Sequence, residues 1–190
     1  MMERQRQIIL FASGAGSNVA AILRYFADKP NYHFPLIITN NPAAGVIDLA
    51  KEHQIDVLMV DKYRFLSPIL LDTLDLYQPD LLVLAGFLWK IPEDMVAHYR
   101  NRIVNIHPAL LPAHGGKGMY GRHVHEAVVA QGEKESGITI HLVNENYDEG
   151  TTLLQKKVKV TASDTADSLA KKVLKLEHEW YAKVIESLLK

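Results

Sequence analysis

Short apolar runs alternate with amphipathic segments along the first half of the chain, and this alternation limits the possible folds most strongly. Apolar runs of four to six residues predict buried strands, and the helical-period segments between them predict helices. Such alternation is typical of parallel βαβ units with right-handed crossovers. The predicted strands are 7–12, 34–39, 56–60, 80–85 and 102–106, and the helices between them are 17–26, 44–53, 66–77 and 92–99.

The second half of the chain has a different pattern. It comprises an irregular Gly- and Pro-rich stretch at 107–121, a helix at 122–131, strands at 137–143 and 152–160 that can pair antiparallel, and an amphipathic helix at 164–189. Asp164 or Ser163 is the predicted N-cap of that last helix. We therefore expect an α/β fold with a Rossmann-like, open, mostly parallel sheet. Helices cover both faces, the C-terminal half is mixed, and a long C-terminal helix follows.

Length and composition set limits on the class of protein. A chain of 190 residues suits a single domain, with a phosphate-binding half over about 1–100 and a catalytic half over about 101–190. The net charge of −1 gives no indication of a nucleic-acid or membrane surface. The absence of cysteine excludes disulfides and thiolate chemistry. No signal-like or membrane-spanning apolar segment is visible, so we expect a cytoplasmic protein.

The segment 13–18, Ser-Gly-Ala-Gly-Ser-Asn, follows the first predicted strand and begins a helix. Glycines let backbone N–H groups approach an anion, and a helix N-terminus favours negative charge. Ser17 and Asn18 add side-chain donors. Neither the third glycine of a dinucleotide fingerprint nor a Walker Gly-Lys-Ser/Thr is present. An anion-binding loop is the favoured interpretation, and a tight turn with an N-cap serine is the alternative.

The segment 84–92, Leu-Ala-Gly-Phe-Leu-Trp-Lys-Ile-Pro, lies at the carboxyl end of the fourth predicted strand. Open α/β sheets bind ligands at this edge. Exposed backbone beside Phe87, Leu88 and Trp89 would suit a slot for a flat heterocycle. An apolar loop packed on the core is the alternative, and these residues alone do not decide between the two.

Asn105 and His107 are two residues apart at the end of the fifth predicted strand, so their side chains point to the same face. A carboxamide and an imidazole directed at one spot suit an acyl carbon that becomes tetrahedral. Asn105 can donate to the oxyanion, and His107 can exchange a proton or, when charged, stabilise the same oxygen. Pro108 and Pro112 predict a rigid segment. The alternative is a buried histidine with satisfied hydrogen bonds beside a turn asparagine.

Asp148 and Glu149 lie in the predicted turn between the last two strands. A carboxylate close to His107 would raise the pKa of its imidazole and orient the ring. The alternative is a pair of solvent-exposed turn acids. His123 and His125 are possible metal ligands, but a His-x-His pair on a helix points to different faces and no HExxH spacing occurs. We therefore expect no metal.

Several motifs together resemble the phosphoribosylglycinamide formyltransferases, a family of folate-dependent enzymes. They are the glycine loop at 13–18, Leu-Ala-Gly-Phe at 84–87, Asn-Ile-His-Pro-x-Leu-Leu-Pro at 105–112, Gly-x-Thr-x-His-x-Val at 137–143 and Tyr-Asp-x-Gly at 147–150. The resemblance runs in order through nearly the whole chain. It implies transfer of a formyl group from 10-formyltetrahydrofolate to the amine of 5-phosphoribosylglycinamide, in de novo purine biosynthesis.

The resemblance also implies a role for each residue that matches a family motif. The implied catalytic residues are Asn105, His107 and Asp148. The implied contacts with the ribotide phosphate and ribose are Gly16, Ser17, Asn18 and Glu177. The implied folate contacts are Arg64, Leu88, Trp89, Lys90, Ile91 and Asn105. The half over about 101–190 is expected to be the catalytic and folate-binding half. The expected partners are these two small molecules alone, with no metal, nucleic acid or membrane, in a monomer or homodimer.

The sequence departs from the family pattern at two places and leaves rival functions open. The stretch at 113–121 is longer and richer in glycine than usual, and Trp89-Lys90 replaces the commoner Arg-Ile. The nearest rival is another formyl-folate enzyme, either a deformylase or a sugar-amine formyltransferase. A nucleotide-binding module without catalysis and a histidine-ligated metal hydrolase are the others.

Overall fold

The computed structural model describes residues 4–190, which form seven strands and seven helices. The strands are β1 (Arg6–Phe11), β2 (Tyr32–Thr39), β3 (Asp56–Met59), β4 (Leu81–Leu84), β5 (Ile103–His107), β6 (Glu135–Leu142) and β7 (Thr152–Lys159). The helices are α1 (Ser17–Phe26), α2 (Val46–Glu52), α3 (Lys62–Phe65), α4 (Pro68–Asp75), α5 (Glu93–His98), α6 (Arg122–Ala130) and α7 (Ala166–Leu188).

All seven strands belong to one sheet, in the order β3-β2-β1-β4-β5-β6-β7. The five strands from β3 to β5 are parallel, and β6 and β7 continue the sheet antiparallel. The predicted fold class and the predicted pairing of the last two strands are therefore confirmed. From β1 the chain continues to β2 on one side, and later it returns to β4 on the other side of β1. Open α/β sheets bind ligands at such a switch point, outside the carboxyl ends of the two strands, here β1 and β4.

The sheet is covered on both faces, as near-continuous apolar strands require. Ile8 and Leu10 of β1 are fully buried in the core layer that includes α1, α2 and α7, whereas Ile9 and Phe11 are fully buried in the layer that includes α3, α4 and α5. The strand therefore has no polar face, because alternate side chains enter two different cores.

The helix predicted at 66–77 is present as α4, which begins and ends two residues inside that range, and the short helix α3 that precedes it was not predicted. Asp61 caps α3 by accepting a hydrogen bond from Arg64 N–H at 2.7 Å, and Ser67 caps α4 by accepting from Ile69 N–H at 3.3 Å. Pro68 occupies the first turn of α4, where its missing N–H costs nothing. The dipeptide Ser67-Pro68 is therefore the signal at which α4 begins, two residues after the predicted start.

The long helix α7 begins one or two residues later than predicted. Thr165 is its N-cap and forms a reciprocal capping box with Ser168. Asp164 instead accepts hydrogen bonds from Thr161 N–H at 2.8 Å and from Lys172 Nζ at 2.6 Å, which closes the turn before the helix. Over the described part of the chain, no helix is long and apolar enough to cross a membrane.

Tyr181 of α7 fixes this helix on the sheet beside the ligand-binding edge. Its hydroxyl lies 2.9 Å from the carbonyl oxygen of Leu84 and 3.0 Å from that of Val104, and the side chain is almost completely buried. Because these carbonyls belong to β4 and β5, the contact sets the distance between α7 and the carboxyl ends of both strands.

Candidate active site

A cleft of about 510 Å³ lies at the carboxyl ends of β4 and β5. Its walls come from the segment after β4, the end of β5, the loop before α6 and one face of α7. This position is the topological edge at which open α/β sheets bind ligands, and the volume is in the range of small-molecule sites. Six predicted site residues line it: Asn18, Leu88, Asn105, His107, Asp148 and Glu177.

Asn105 is oriented by a histidine on the neighbouring strand. β5 pairs antiparallel with β6, and Asn105 lies opposite His141 in that register. His141 Nδ1 is 3.0 Å from the carbonyl oxygen of Leu142, so Nδ1–H donates there and Nε2 remains an acceptor. Asn105 Nδ2 is 3.2 Å from His141 Nε2. One amide N–H of Asn105 is thereby engaged, which fixes the plane of the carboxamide at the cleft.

His107 is held between a main-chain carbonyl and a carboxylate. Its Nε2 donates to the carbonyl oxygen of His114 at 2.8 Å, and its Nδ1 lies 3.6 Å from Asp148 Oδ2. The side chain is only 5% exposed. The donated hydrogen bond places the proton of the neutral ring on Nε2 and leaves Nδ1 with a free lone pair.

Asp148 is drawn into the cleft, so the alternative of a solvent-exposed turn acid is wrong for this residue. Its side chain is 11% exposed, and Oδ2 accepts a hydrogen bond from Gly116 N–H at 2.9 Å. Its Oδ1 lies 3.7 Å from His141 Nε2. Glu149, by contrast, is exposed. Gly150 makes this turn possible, because a Cβ there would overlap the carbonyl oxygen of Leu142.

The charges of this group differ from the predicted ones. Burial lowers the pKa of His107 below its usual 6.5, and the nearby Asp148 carboxylate offsets this only in part. The prediction that Asp148 raises the pKa of His107 is thus confirmed for the effect of Asp148 alone. The expectation of a raised pKa is wrong for His107 as a whole, because burial has the larger effect. For Asp148, burial acts to raise the pKa, but the surrounding polar groups, among them His107 and the N–H of Gly116, outweigh burial and lower it. The resting site therefore has a neutral imidazole beside an ionised carboxylate at neutral pH.

Asn18 and Glu177 meet across the cleft, which brings together a residue of the predicted phosphate loop and the predicted ribose contact. Asn18 Nδ2 donates to Glu177 Oε2 at 2.7 Å, and both side chains are buried. Burial raises the pKa of Glu177, and the hydrogen bond from Asn18 partly opposes this. Asn18 Oδ1 is buried and has no hydrogen-bond partner among residues 4–190. A ligand donor at this end of the cleft would satisfy it.

Gly16 and Ser17 lie just outside the cleft wall, next to Asn18. Gly16 is the N-cap of α1, with a φ of 82° that favours glycine, so the alternative of an N-cap serine is wrong. A Cβ on Gly16 would also come within 3.0 Å of Val46. Ser17 is the first helical residue and is exposed. The loop thus presents a helix N-terminus without a side-chain cap, which is the geometry that binds anions.

Most of the predicted folate contacts are not in the cleft wall. Leu88 lines it, but Ile91 is buried in the core, and Trp89 packs edge-on against the ring of Phe65. Lys90 and Arg64 are likewise not cleft-lining residues, and Arg64 borders a separate shallow depression on α3 and α4. Contacts of Arg64, Trp89, Lys90 and Ile91 with folate therefore stay predictions.

Some residues of the site were missed in the sequence. His141 had a detectable signal, since antiparallel pairing of the strands at 102–106 and 137–143 brings it opposite Asn105. His125 lines the cleft with a buried Nδ1 that has no partner within the described chain, and burial lowers its pKa. Arg122 and Lys171 add positive charge to the wall. Across residues 4–190, no three histidine or acidic side chains are grouped so that they could hold a metal ion.

Comparison with known proteins gives a consistent result. A family model described as formyl transferase matches residues 6–185. The chloroplastic phosphoribosylglycinamide formyltransferase of Arabidopsis thaliana is 43% identical, over 97% of this chain and 66% of the plant protein. The phosphoribosylglycinamide formyltransferase of Bacillus subtilis is 32% identical, over 97% of this chain and 95% of that protein. The chain thus spans about two thirds of the plant relatives and nearly all of the bacterial one.

Solved structures agree with the sequence relatives. The crystal structure of phosphoribosylglycinamide formyltransferase from Bacillus halodurans superposes with a TM-score of 0.88 at 33% identity, covering 97% of this chain and 96% of that one. The structure of the enzyme of the same name from Brucella melitensis has a TM-score of 0.84 at 34% identity, over 97% and 95% of the two chains.

Proposed function

Because the chain belongs to the formyl transferase family, we propose that it transfers the formyl group of 10-formyltetrahydrofolate to the amine of 5-phosphoribosylglycinamide. The products are the N-formyl ribotide and tetrahydrofolate, and the step belongs to de novo purine biosynthesis. The observation that supports this most strongly is the convergence of Asn105, His107 and Asp148 in one cleft. The family match agrees with the resemblance that the sequence motifs indicated.

The cleft suits two substrates at once. The ribotide phosphate is proposed to bind at the N-terminus of α1, at Gly16, Ser17 and Asn18, and its ribose at Glu177. The pterin end of the folate is proposed to lie against Leu88 and the neighbouring apolar wall. Holding both reactants side by side contributes much of the rate enhancement of such transfers.

The attack on the formyl carbon needs a proton acceptor. The amine nitrogen forms the new C–N bond, the carbonyl electron pair moves to oxygen, and one amine proton leaves. His107 is proposed to receive this proton on Nδ1, because its Nε2–H is already donated to His114. The neutral resting state favoured by burial is the state that can accept it. The resulting imidazolium lies next to the Asp148 carboxylate, which stabilises it.

The tetrahedral oxyanion needs a donor that is already in place. The amide group of Asn105 has one N–H engaged by His141 and a second N–H that is proposed to donate to the oxyanion. Such a preorganised donor contributes on the order of 3 kcal/mol to a transition state. The intermediate collapses when the carbonyl re-forms, the bond from carbon to N10 of the folate breaks and N10 takes up the proton that His107 received, which leaves tetrahydrofolate, the formylated amide and a neutral His107.

The expectations on location, oligomeric state, partners and domain organisation are proposals as well. Cytoplasmic location stays a prediction, since the plant relatives are named chloroplastic. The oligomeric state, a monomer or homodimer, also stays a prediction. So does the expectation that the protein binds no metal, nucleic acid or membrane. The organisation as a single domain with a phosphate-binding half and a catalytic, folate-binding half is proposed as well, and one sheet runs through both halves.

A direct assay tests the proposed function. Purified protein is incubated with 10-formyltetrahydrofolate and the ribotide, and the formylated product and tetrahydrofolate are quantified. We expect equal amounts of both, with no formate released when the ribotide is left out. Formate release without the ribotide would instead identify a deformylase. Transfer to a sugar amine but not to the ribotide would identify the other formyl-folate rival.

A further inference from the structure

The loop segment 114–116 contacts two of the proposed catalytic groups through its main chain. The carbonyl oxygen of His114 accepts from His107 Nε2 at 2.8 Å, and Gly116 N–H donates to Asp148 Oδ2 at 2.9 Å. A displacement of these three residues would therefore rotate the imidazole and shift the carboxylate together. Whatever determines the position of this segment also determines the geometry of the catalytic pair.

The backbone of His114 is in the left-handed region. Its φ is 55°, a conformation that few non-glycine residues adopt, although histidine adopts it more often than most. Such conformations persist only where surrounding contacts impose them. Gly115 and Gly116, which come next, add no side-chain contact of their own. Within residues 114–116, the His114 side chain is therefore the only one that can help to hold this conformation.

The side chain of His114 points away from the cleft and toward the end of α6. It is 7% exposed and does not line the cleft, and its Nε2 lies 3.3 Å from Glu133 Oε1. Glu133 is itself fixed at the helix end, where its N–H donates to the carbonyl oxygen of Val128 at 3.2 Å. The loop is thus connected to a rigid helix by one polar side-chain contact outside the cleft.

We propose that the His114–Glu133 pair is a positioning device for the active site, which acts on His107 and Asp148 through the main chain of residues 114–116. Neither member of the pair touches the substrates. The pair holds the His114 carbonyl toward His107 Nε2, so that the neutral imidazole carries its proton on Nε2 and presents Nδ1 to the reaction. The expected change in kcat rests on the proposed formyl transfer, whereas the expected tautomer of the His107 imidazole does not.

The test compares Glu133→Ala with a matched control on the next strand. Glu135 is also a partly exposed acid, and it pairs with Lys157 at 2.7 Å, so Glu135→Ala removes a polar side-chain contact of a similar acid that does not touch the loop. A half-exposed pair of this kind is worth up to about 1 kcal/mol, so we expect Glu133→Ala to lower kcat about fivefold. KM for both substrates should stay unchanged, and Glu135→Ala should behave as wild type.

Two further variants separate positioning from general structure. Glu133→Gln keeps an oxygen acceptor for His114 and should restore most of kcat. His114→Asn tolerates a positive φ but cannot reach Glu133 in the same way, so it should resemble Glu133→Ala. Since both changes remove one contact, the double variant should lose no more than either single variant does.

Imidazole ¹⁵N NMR of the free protein gives a readout independent of turnover, with His107 assigned from the spectrum of His107→Gln. We expect one neutral tautomer, protonated on Nε2, in wild type and Glu135→Ala, and a mixture in Glu133→Ala. Unchanged His107 shifts in Glu133→Ala would overturn the proposal, even if kcat fell. Changed shifts in a protein whose wild type transfers no formyl group would support the positioning role and refute the proposed function.

Discussion

The proposed catalytic residues come from two regions that the fold controls in different ways. Asn105 and His107 are on β5, a strand inside the sheet with ladder partners on both sides. Asp148 comes from the turn between β6 and β7, has a φ of 57°, and reaches the cleft through a hydrogen bond from another loop. In the proposed mechanism, the strand determines where the acyl chemistry takes place, whereas the loops influence the charge and orientation of the imidazole.

The largest effect is expected at the strand. Asn105→Ala removes the proposed oxyanion donor and should lower kcat by about 100- to 1,000-fold. Asn146→Ala, in the exposed part of the β6–β7 turn, is the matched control and should have no such effect. Steady-state kinetics at saturating substrates measure both. A fall of less than about threefold in a well-folded Asn105→Ala protein would remove Asn105 from the mechanism.

Glu177 extends the comparison to a helix, where we expect a role in binding rather than in the transfer step. Glu177→Ala removes a buried carboxyl group that holds Asn18 and that is proposed to bind the ribose, and loss of these hydrogen bonds should raise KM for the ribotide about tenfold. Glu179→Ala, on the exposed side of α7, should leave KM unchanged. A loss confined to kcat, with KM unchanged, would contradict a binding role.

Two Gly→Ala variants, one in strand β6 and one in the loop before α6, test whether a substitution in the strand lowers the free energy of unfolding more than one in the loop does. Gly137→Ala places a Cβ against the carbonyl oxygen of Lys156 in the neighbouring strand, and a clash with backbone costs about 3 kcal/mol, at the upper end for overpacking. Gly118→Ala meets no atom within 4 Å but has a φ of 89°, which costs about 1 kcal/mol. Urea unfolding measures both free energies. Equal losses would remove the distinction between the two regions.

The smallest effect concerns pH. Protonation of His107 in the free protein should abolish its function as a proton acceptor, so kcat/KM should fall on an acid limb that lies below pH 6.5. The negative charge of Asp148 raises the pKa of His107, and Asp148→Asn removes that influence. The acid limb of the residual activity should therefore move to lower pH. A shift to higher pH would mean that Asp148 does not act on His107 electrostatically.

The strand-borne part of the site could be predicted from the sequence for a simple reason. The two-residue spacing of Asn105 and His107 in an apolar run predicts their common face, and the alternation of strands and helices predicts the parallel sheet around them. Both depend on short-range pattern and on general rules of connection. The fold class and the antiparallel pairing of β6 and β7 followed from the same patterns.

The loop-borne part could not be predicted to the same extent. The net direction of the pKa of His107 depends on its degree of burial, which no local pattern gives. The contact between His114 and His107 depends on a left-handed residue in a loop that is longer than the family pattern. The starts of α4 and α7 lie about two residues after the predicted ones for another reason, since Ser67 and Thr165 are the N-caps and a serine or acidic residue nearby is an equally good N-cap type.

The central claim is that His107 performs the proton transfer that formyl transfer requires. The direct measurement is the single-turnover rate of formyl transfer from 10-formyltetrahydrofolate to 5-phosphoribosylglycinamide, for wild type and for His107→Ala, with folding checked by circular dichroism. General-base catalysis contributes about 100- to 10,000-fold, so we expect a rate loss in this range with both substrates still bound. A folded His107→Ala protein that transfers formyl at nearly the wild-type rate would contradict the account.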